Sequence, residues 1–357
     1  MLVVGYTVLV KKEKEVAPSA LYRKYRPQTF ADVVGQEHIV SVLEGAITKG
    51  SLPHALLFTG SRGTGKTTVA RIFAREAGAS EMDIYEIDAA SNRGIDDIRE
   101  LRDAVHTLPY ESPYKVYIID EVHMLSKDAF NALLKTLEEP PAHVIFILAT
   151  TEADKLLDTI VSRCQVFRFR APGREVLRDV IMNVAKKEKF KLDTDAADLI
   201  AIAADGSFRD AQGVLQKVIM ASSDSKASAD EVAAIIGAPK SKLLSDVVEA
   251  LHEKDAEKGL SAIATAFDAR VDMKLFAKLL VERIRVVILV RHTKNAELLK
   301  QFGEDDQERL KALAEDATSP LNSHLLLHLL SRTASIGSTH LPQLPLELAV
   351  IELTEEK

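Results

Sequence analysis

The stretch HALLFTGSRGTGKTTVARIFARE, residues 54–76, decides the fold. Its apolar beginning is typical of a buried strand, and its end places Ala70, Phe73 and Ala74 on one face of a helix. Between them, GSRGTGKT at residues 60–67 matches the pattern G-x-x-x-x-G-K-[ST] of a phosphate-binding loop. The strand before the loop and the helix after it are the context that this pattern requires. They argue against an ordinary glycine-rich turn that happens to contain Lys-Thr.

The loop predicts a site for ATP and Mg²⁺. Its glycines allow backbone N–H groups to approach phosphates, and the beginning of the helix adds partial positive charge. In loops of this kind the lysine, here Lys66, reaches the β- and γ-phosphates, and the hydroxyl of Thr67 ligates Mg²⁺. We therefore assign nucleotide binding to Gly60, Arg62, Gly63, Thr64, Gly65, Lys66, Thr67 and Thr68.

A second motif, VYIIDE at residues 116–121, supplies two carboxylates. Its apolar residues predict a buried strand, and ligands bind at the carboxyl ends of such strands. Asp120 would hold Mg²⁺ through water, and Glu121 would orient or deprotonate the attacking water. A strand that merely ends in solvated acids is the alternative, and the phosphate-binding loop upstream argues against it.

Strand and helix patterns alternate as far as residue 171, which predicts an α/β fold with a parallel five-stranded sheet. The predicted strands are residues 54–60, 83–89, 115–120, 143–151 and 165–170. After Pro172 the strand pattern ends and helices follow. We predict an N-terminal extension at 1–20, a nucleotide-binding α/β domain at 21–171, a helical lid domain at 172–237 and a helical oligomerisation (collar) domain at 238–357.

Composition limits the classes of protein to consider. The 357 residues are 46% hydrophobic and 28% charged, as in globular proteins, and no apolar run has the length of a membrane span. The single cysteine, Cys164, excludes an intramolecular disulfide and a cysteine-rich zinc site. The net charge of −7 argues against nucleic-acid binding by the whole surface but allows a local basic stripe. We expect a cytoplasmic protein.

Several motifs together resemble the AAA+ clamp-loader ATPases, most closely the gamma/tau type of bacterial DNA polymerase III. The resemblance extends in order from about Leu21 to Met220 and is weak beyond Pro239. Besides the two motifs above, it rests on YRKYRPQTFADVVGQ (22–36), EIDAASNRGIDDIREL (86–101), FILATTE (146–152), SRCQVF (162–167) and GSFRDA (206–211).

The resemblance implies roles for residues that the sequence alone would leave as ordinary surface or capping groups. Thr151 would be sensor 1, a hydroxyl directed at the γ-phosphate or the attacking water. Arg163 would be an arginine finger that acts on ATP in the neighbouring subunit. Arg209 would be sensor 2, although Ser207 and Asp210 around it also fit a simple capping box. The residues that enclose adenine and ribose would be Tyr22, Arg26, Pro27, Val33 and Val34.

The function that the resemblance implies is ATP-driven loading of a ring-shaped sliding clamp onto primer–template DNA. Its partners would be the other loader subunits in a pentamer-like ring, the clamp and the DNA. Arg93 and Arg99 are candidate phosphate contacts, and solvated helix-face arginines are an equally good explanation. Two alternatives stay open: a motor of the same superfamily, such as a branch-migration ATPase, and a non-hydrolysing scaffold subunit of the loader.

One departure from the gamma/tau family is plain. A four-cysteine zinc module normally follows the helix after the phosphate-binding loop, but here ARIFAREAGASEMDIYEIDAA, residues 70–90, contains no cysteine. We therefore expect no zinc. The helicase and polymerase contacts of the longer family form are not carried over to this chain.

Overall fold

A computed structural model of the chain describes residues 20–91, 95–293, 295–299 and 302–355. These residues form two compact units. The first extends to Phe190 and also contains Ile200–Met220, and the second contains Lys191–Leu199 and the residues from Ala221 onward. No helix in the described ranges is long and apolar enough to cross a membrane. The predicted extension at 1–20 lies outside these ranges except for its last residue.

A parallel five-stranded sheet forms the centre of the first unit, as predicted. Its spatial order is β2-β3-β4-β1-β5, so the strand before the phosphate-binding loop lies inside the sheet. Thr59 at the end of β1 pairs with Thr150, and Asp88 pairs with Asp120. The carboxyl ends of the central strands therefore share one edge. The strands are β1 Ala55–Thr59, β2 Ile84–Asp88, β3 Lys115–Asp120, β4 Val144–Thr150 and β5 Gln165–Arg168.

Helices α1 Leu21–Lys24, α2 Glu37–Thr48, α3 Lys66–Glu76, α4 Ile95–Val105, α5 Lys127–Glu138 and α6 Asp158–Val161 lie in the part of the chain that contains the sheet strands, and α2 to α6 pack on the two faces of the sheet. Three helices follow the last strand of the sheet: α7 Arg174–Lys187, α8 Thr194–Ala203 and α9 Phe208–Ala221. Ser126 caps α5 by accepting a hydrogen bond from Ala129 N.

Two apolar cores lie on opposite faces of the sheet, because successive side chains of a strand point to opposite sides. In β3, Tyr117 and Ile119 join the core beneath α4 and α5, whereas Val116 and Ile118 join the core beneath α2 and α3. All four side chains are at most 2% exposed. Because the central strands are buried on both faces, their sequences are almost continuously apolar. This burial also determines the sheet edge at which their carboxyl ends lie.

The second unit is mainly helical. Its core is built around α13, whose Phe276, Leu280 and Ile284 are fully buried. Gly259 of α12 lets α16 approach closely, since a Cβ there would lie 2.7 Å from Val350 Cγ1. The elements are β6 Lys191–Leu192, β7 Lys226–Ala227, α10 Ala229–Ile236, α11 Ser241–Glu253, α12 Ala256–Asp268, α13 Met273–Thr293, α14 Glu304–Glu315, α15 Ser323–Thr333 and α16 Leu344–Glu355.

One detail of the sequence interpretation was wrong. Strands β6 and β7 pair in parallel after Pro172, where no strand was expected, because two residues each are too few to produce a period. The domain boundaries at 172 and 238 stay predictions, since the compact units group Ile200–Met220 with the sheet.

Two buried charged side chains hold the segment between α4 and β3. The carboxylate of Asp83 accepts hydrogen bonds from the backbone N–H groups of Tyr110, Glu111 and Ser112, at 2.6, 3.1 and 3.1 Å, and from Ser112 Oγ at 2.7 Å. Lys115 Nζ donates to Ala104 O at the end of α4. Both charges are satisfied inside the fold, so the segment is fixed by polar contacts rather than by apolar packing.

We expect Asp83→Asn to lower the free energy of unfolding by about 2 kcal/mol at neutral pH, because the amide places an NH₂ group among N–H donors. Burial alone would raise the pKa of Asp83, but its hydrogen bonds outweigh this and hold the pKa well below its usual value. The stabilisation is therefore complete above the unfolded-state pKa of about 3.9 and is lost as the pH falls through the lower folded-state value. Urea denaturation across this pH range measures both effects.

The matched control is Asp154→Asn, which changes an exposed aspartate of the same unit. Its free energy of unfolding should differ from that of the wild type by less than about 0.5 kcal/mol. Equal stability of the Asp83 and Asp154 variants at neutral pH would contradict the role given to the buried carboxylate.

Candidate nucleotide-binding site

The phosphate-binding loop lies between β1 and α3, and its glycines are required by its shape. Gly60 has φ 146° and passes so close to the residue after β5 that a Cβ would lie 2.5 Å from Phe169 O. Gly65 has φ 102° immediately before the first residue of α3, and the space in front of its missing Cβ is open. The loop therefore turns sharply and leaves room at the beginning of the helix.

Lys66 lies beneath the loop and is 5% exposed. Its Nζ donates to Gly60 O at 2.7 Å and to Ser61 O at 2.9 Å. Burial lowers the pKa of Lys66, while the carboxylates of Glu121 and Asp120 favour its charged form. The two carbonyl partners carry no formal charge, so this buried ammonium group is suited to receive an anion such as a phosphate.

The surroundings of Lys66 fit a nucleotide with Mg²⁺. Helix α3 begins without a side-chain cap, which leaves its first N–H groups free for phosphate oxygens. Thr67 Oγ1 donates to Asp120 Oδ2 at 2.7 Å. A hydroxyl and a carboxylate are oxygen ligands of the kind that Mg²⁺ prefers, so the pair predicted from the two motifs is brought together at one edge of the sheet.

Glu121 follows Asp120 in a left-handed conformation with φ 49°. This turn directs its side chain toward the end of β4, where Thr151 N and Thr151 Oγ1 donate to Glu121 Oε2 at 3.2 and 3.0 Å. The structure thus joins two residues that the sequence analysis assigned separately. Non-glycine residues rarely adopt the left-handed conformation, and those that do are often found in active sites.

Sequence reasoning missed His123, which is part of the same cluster. Its side chain is 6% exposed, with Nδ1 2.9 Å from Thr150 Oγ1 and 3.4 Å from Glu121 Oε2. Its Nε2 lies 3.2 Å from Glu152 Oε1. The only sequence feature that pointed to His123 was its position three residues after Asp120. That position does not show how β3 packs against β4.

The loop also contacts the beginning of α9. Phe208 N donates to Gly63 O at 3.0 Å, and a Cβ on Gly63 would lie 2.0 Å from Ser207 Oγ. Ser207 Oγ accepts from Asp210 N at 3.1 Å, which is one half of the predicted capping box. The guanidinium carbon of Arg209 lies 4.8 Å from the centre of the Tyr22 ring. Two residues from distant motifs are therefore in contact, in cation–π geometry.

The other residues of the N-terminal segment have varied surroundings. Leu21 N donates to Gln216 Oε1 at 3.1 Å and so attaches α1 to α9. Burial lowers the pKa of Arg26, and the nearby charge of Arg71 lowers it further. Val33 packs against the core beneath α2, whereas Val34 is 42% exposed.

The other predicted site residues have less specific surroundings. Arg62 is exposed, Pro27 and Thr68 are half-buried, and Thr64 is buried with its hydroxyl donating to Ser61 O at 2.9 Å. Arg163 donates to Glu138 Oε1 and Thr159 O at 2.7 and 2.6 Å, and neither partner belongs to the loop site. Arg93 and the side chain of Arg99 lie outside the described residues.

The described residues contain no group of three or more His, Cys, Asp or Glu side chains placed to hold a metal ion. The zinc module expected to be missing would have followed α3, and the described chain there continues through a short turn, Glu81–Asp83, into β2.

Two family models match the chain. Residues 75–173 match "DNA polymerase III, delta subunit". Residues 227–356 match "DNA polymerase III subunits gamma and tau domain III". The second match covers the C-terminal region, where the sequence motifs gave only a weak resemblance.

Curated relatives give the same result over most of the chain. The DNA polymerase III subunit tau of Bacillus subtilis is 36% identical over 94% of this chain and 63% of its own length. The gamma/tau subunit of Mycobacterium tuberculosis is 38% identical over 78% of this chain and 52% of its own length. The tau subunit of Escherichia coli is 42% identical over 69% and 41%. The chain thus spans less than two thirds of the length of these relatives.

Solved structures support the fold. The Thermotoga maritima RuvB Holliday junction branch migration motor is 22% identical, with a TM-score of 0.51 over 64% of this chain and 80% of that one. Such a likeness concerns architecture and leaves function open. The identities above and the two family models together lead to one assignment. The chain belongs to the family that contains the DNA polymerase III gamma and tau subunits.

Proposed function

We propose that this protein binds ATP with Mg²⁺ and hydrolyses it as a subunit of a complex that loads a ring clamp onto primer–template DNA. The proposal rests on three pairs of residues in contact at the carboxyl edge of the sheet. Lys66 donates to Gly60 O of the loop, and Thr67 donates to Asp120. Thr151 donates to Glu121. Membership of the gamma/tau family supports the loading role.

Each pair has a distinct task in this proposal. Lys66 and the first N–H groups of α3 bind the phosphates, and Thr67 with Asp120 holds Mg²⁺, which neutralises charge on the β- and γ-phosphates when bound. Glu121 accepts a hydrogen bond from the attacking water and orients it. Thr151 keeps the Glu121 carboxylate at the end of β4 until the nucleotide and water are in place.

Two arginines connect the site to its surroundings. Arg209 directly follows Phe208, whose N–H donates to Gly63 O of the loop, and in this proposal it leaves the Tyr22 ring to reach the γ-phosphate of the same subunit. Arg163 is one third exposed, and the partners of its guanidinium, Glu138 and Thr159, lie outside the loop, which suits a group that completes the site of a neighbour. Hydrolysis would then depend on assembly, because the developing charge is stabilised across an interface.

The two alternatives predict different behaviour. A DNA motor would translocate along DNA as a single component, and the RuvB likeness concerns only the fold. A scaffold subunit would not need Lys66, Thr67, Asp120 and Glu121 in these positions. Clamp-dependent stimulation of hydrolysis by primer–template DNA separates the loader from the motor, and a nucleotide titration separates it from the scaffold.

The test of the proposed function is Glu121→Gln in a complex reconstituted with partner subunits, clamp and primer–template DNA. The amide keeps the shape but cannot serve as a base, so phosphate release should fall at least about 100-fold. Binding of ATP should stay within about twofold of the wild type, because Glu121 contacts Thr151 and His123 rather than the loop. Phosphate release and a fluorescent-ATP titration measure the two quantities.

Glu44→Gln, at an exposed position of α2, is the matched control and should hydrolyse ATP at the wild-type rate. Unchanged hydrolysis in the Glu121 variant would refute the assignment of this carboxylate. Failure of clamp and DNA to stimulate the wild-type complex would refute the loading role.

A further inference from the structure

His123 occupies the turn that joins β3 to the Glu121 site. The turn Val122–Met124 is a short 3₁₀ helix that begins directly after Glu121, and it directs the imidazole back toward the end of β4. The ring has contacts on both nitrogens, with Thr150 Oγ1 and Glu121 Oε2 near Nδ1 and Glu152 Oε1 near Nε2. A buried ring with both nitrogens engaged has one defined orientation.

The contacts favour a neutral ring that carries its proton on Nε2. Lys155 Nζ lies 2.7 Å from Glu152 Oε2, and this hydrogen bond lowers the pKa of the Glu152 carboxyl. Glu152 is therefore an acceptor for His123 Nε2, whereas Thr150 Oγ1, which is nearer to Nδ1 than Glu121 is, can donate its proton to Nδ1.

Thr150 extends this chain of hydrogen bonds into the backbone. Its Oγ1 accepts from Glu152 N at 3.0 Å while its own proton is directed at His123. Thr151 lies between Thr150 and Glu152 in the sequence, and its N–H and hydroxyl both donate to the Glu121 carboxylate. His123 thus links the turn after β3 to the turn after β4, and both turns end on the same carboxylate.

We propose that His123 is a positioning residue that sets the distance between Glu121 and Thr151, and through it the readiness of Glu121 to orient water. The inference rests on the proposed hydrolytic function of Glu121. His123 itself touches neither phosphate nor metal ligand among the contacts described above. Its loss would allow the two turns to move apart, and errors of about 1 Å in such groups lower rates by up to about 100-fold.

A histidine that only fills space would affect folding and nucleotide binding as much as hydrolysis. A positioning role predicts a selective change, because the phosphates and Mg²⁺ are held by Lys66, Thr67 and Asp120, which do not contact the imidazole. The turnover number should therefore fall while KM for ATP and the melting temperature stay nearly unchanged.

The experiment compares His123→Ala, His123→Asn and Thr150→Val in the reconstituted complex. We expect His123→Ala to lower the turnover number about 10- to 100-fold with KM for ATP within about twofold. Asparagine keeps an acceptor near the place of Nδ1 and should recover part of the loss. Thr150→Val removes the hydroxyl that donates to the ring and should resemble His123→Ala.

A double variant tests whether His123 acts through the Glu121–Thr151 pair. If it does, His123→Ala combined with Thr151→Val should lower the turnover number by less than the product of the two single effects. Fully multiplicative effects would overturn the proposal, as would an unchanged turnover number in the His123 variants. Equal losses in ATP affinity, melting temperature and turnover would also overturn it in favour of a purely structural histidine.

The Glu121→Gln variant separates failure of this inference from failure of the proposed function. Loss of hydrolysis in that variant with normal hydrolysis in the His123 variants would contradict only the inference. Normal hydrolysis in Glu121→Gln would contradict the proposed function itself. If His123→Ala does not fold, the asparagine and Thr150→Val variants give the same decision.

Discussion

Replacement of Lys66 by alanine is expected to abolish ATP binding. The ammonium group is almost completely buried and donates to two carbonyl oxygens of its own loop, so alanine removes both the brace of the loop and the cation under the phosphates. Charge-assisted hydrogen bonds contribute about 1.5–3 kcal/mol each, so the loss of two that Lys66 would donate to phosphate oxygens should weaken ATP binding at least about 100-fold. Equilibrium titration with a fluorescent ATP analogue measures this loss.

Lys49→Ala is the matched control, because Lys49 is an exposed lysine of the same unit. Its ATP affinity should equal that of the wild type, and both variants should show similar helix content by circular dichroism. Wild-type affinity in a folded Lys66 variant would mean that the nucleotide does not bind at this loop.

Replacement of Arg163 by alanine should leave ATP binding intact and reduce hydrolysis in the assembled complex about 1,000-fold, since arginine fingers supplied across an interface have effects of this size. In the single chain Arg163 pairs with Glu138, and both side chains are between one third and one half exposed. An ion pair of this kind contributes about 0–1 kcal/mol, so Arg163 is easily released toward a neighbouring subunit. Single-turnover phosphate release with and without partner subunits is the measurement.

Glu138→Ala provides the control for this prediction. This substitution removes the ion-pair partner of Arg163 in the single chain but keeps Arg163 itself. Hydrolysis by the complex should therefore stay within about twofold of the wild type. Full-rate hydrolysis by the isolated chain, together with no effect of Arg163→Ala, would show that the neighbouring subunit does not complete the site.

The sequence predicted the sheet and the central part of the site because their patterns are contiguous. A strand followed by GSRGTGKT and a helix has a narrow set of conformations, since Gly60 and Gly65 adopt positive φ values that other residues avoid. The apolar run before Asp120 predicted both its burial and the edge where it ends.

Contacts between segments that are distant in the sequence could not be predicted from the sequence. Ser207 was interpreted only as a helix cap, and the structure adds that it fills the space left by the missing side chain of Gly63. His123 carried no motif, and it became part of the site through Thr150 of the neighbouring strand. Neither contact has a local pattern, because each depends on how whole elements pack.

By itself the sequence predicted Lys66, Thr67, Asp120 and Glu121 as the candidate site residues, since short motifs encode backbone shape and residue type together. Only the tertiary structure decided that Thr151 and His123 meet at Glu121 and that Arg209 lies over Tyr22. The physical reason is the parallel sheet. It brings the ends of strands that are remote in sequence to one edge, where hydrogen bonds and charges act over a few ångströms.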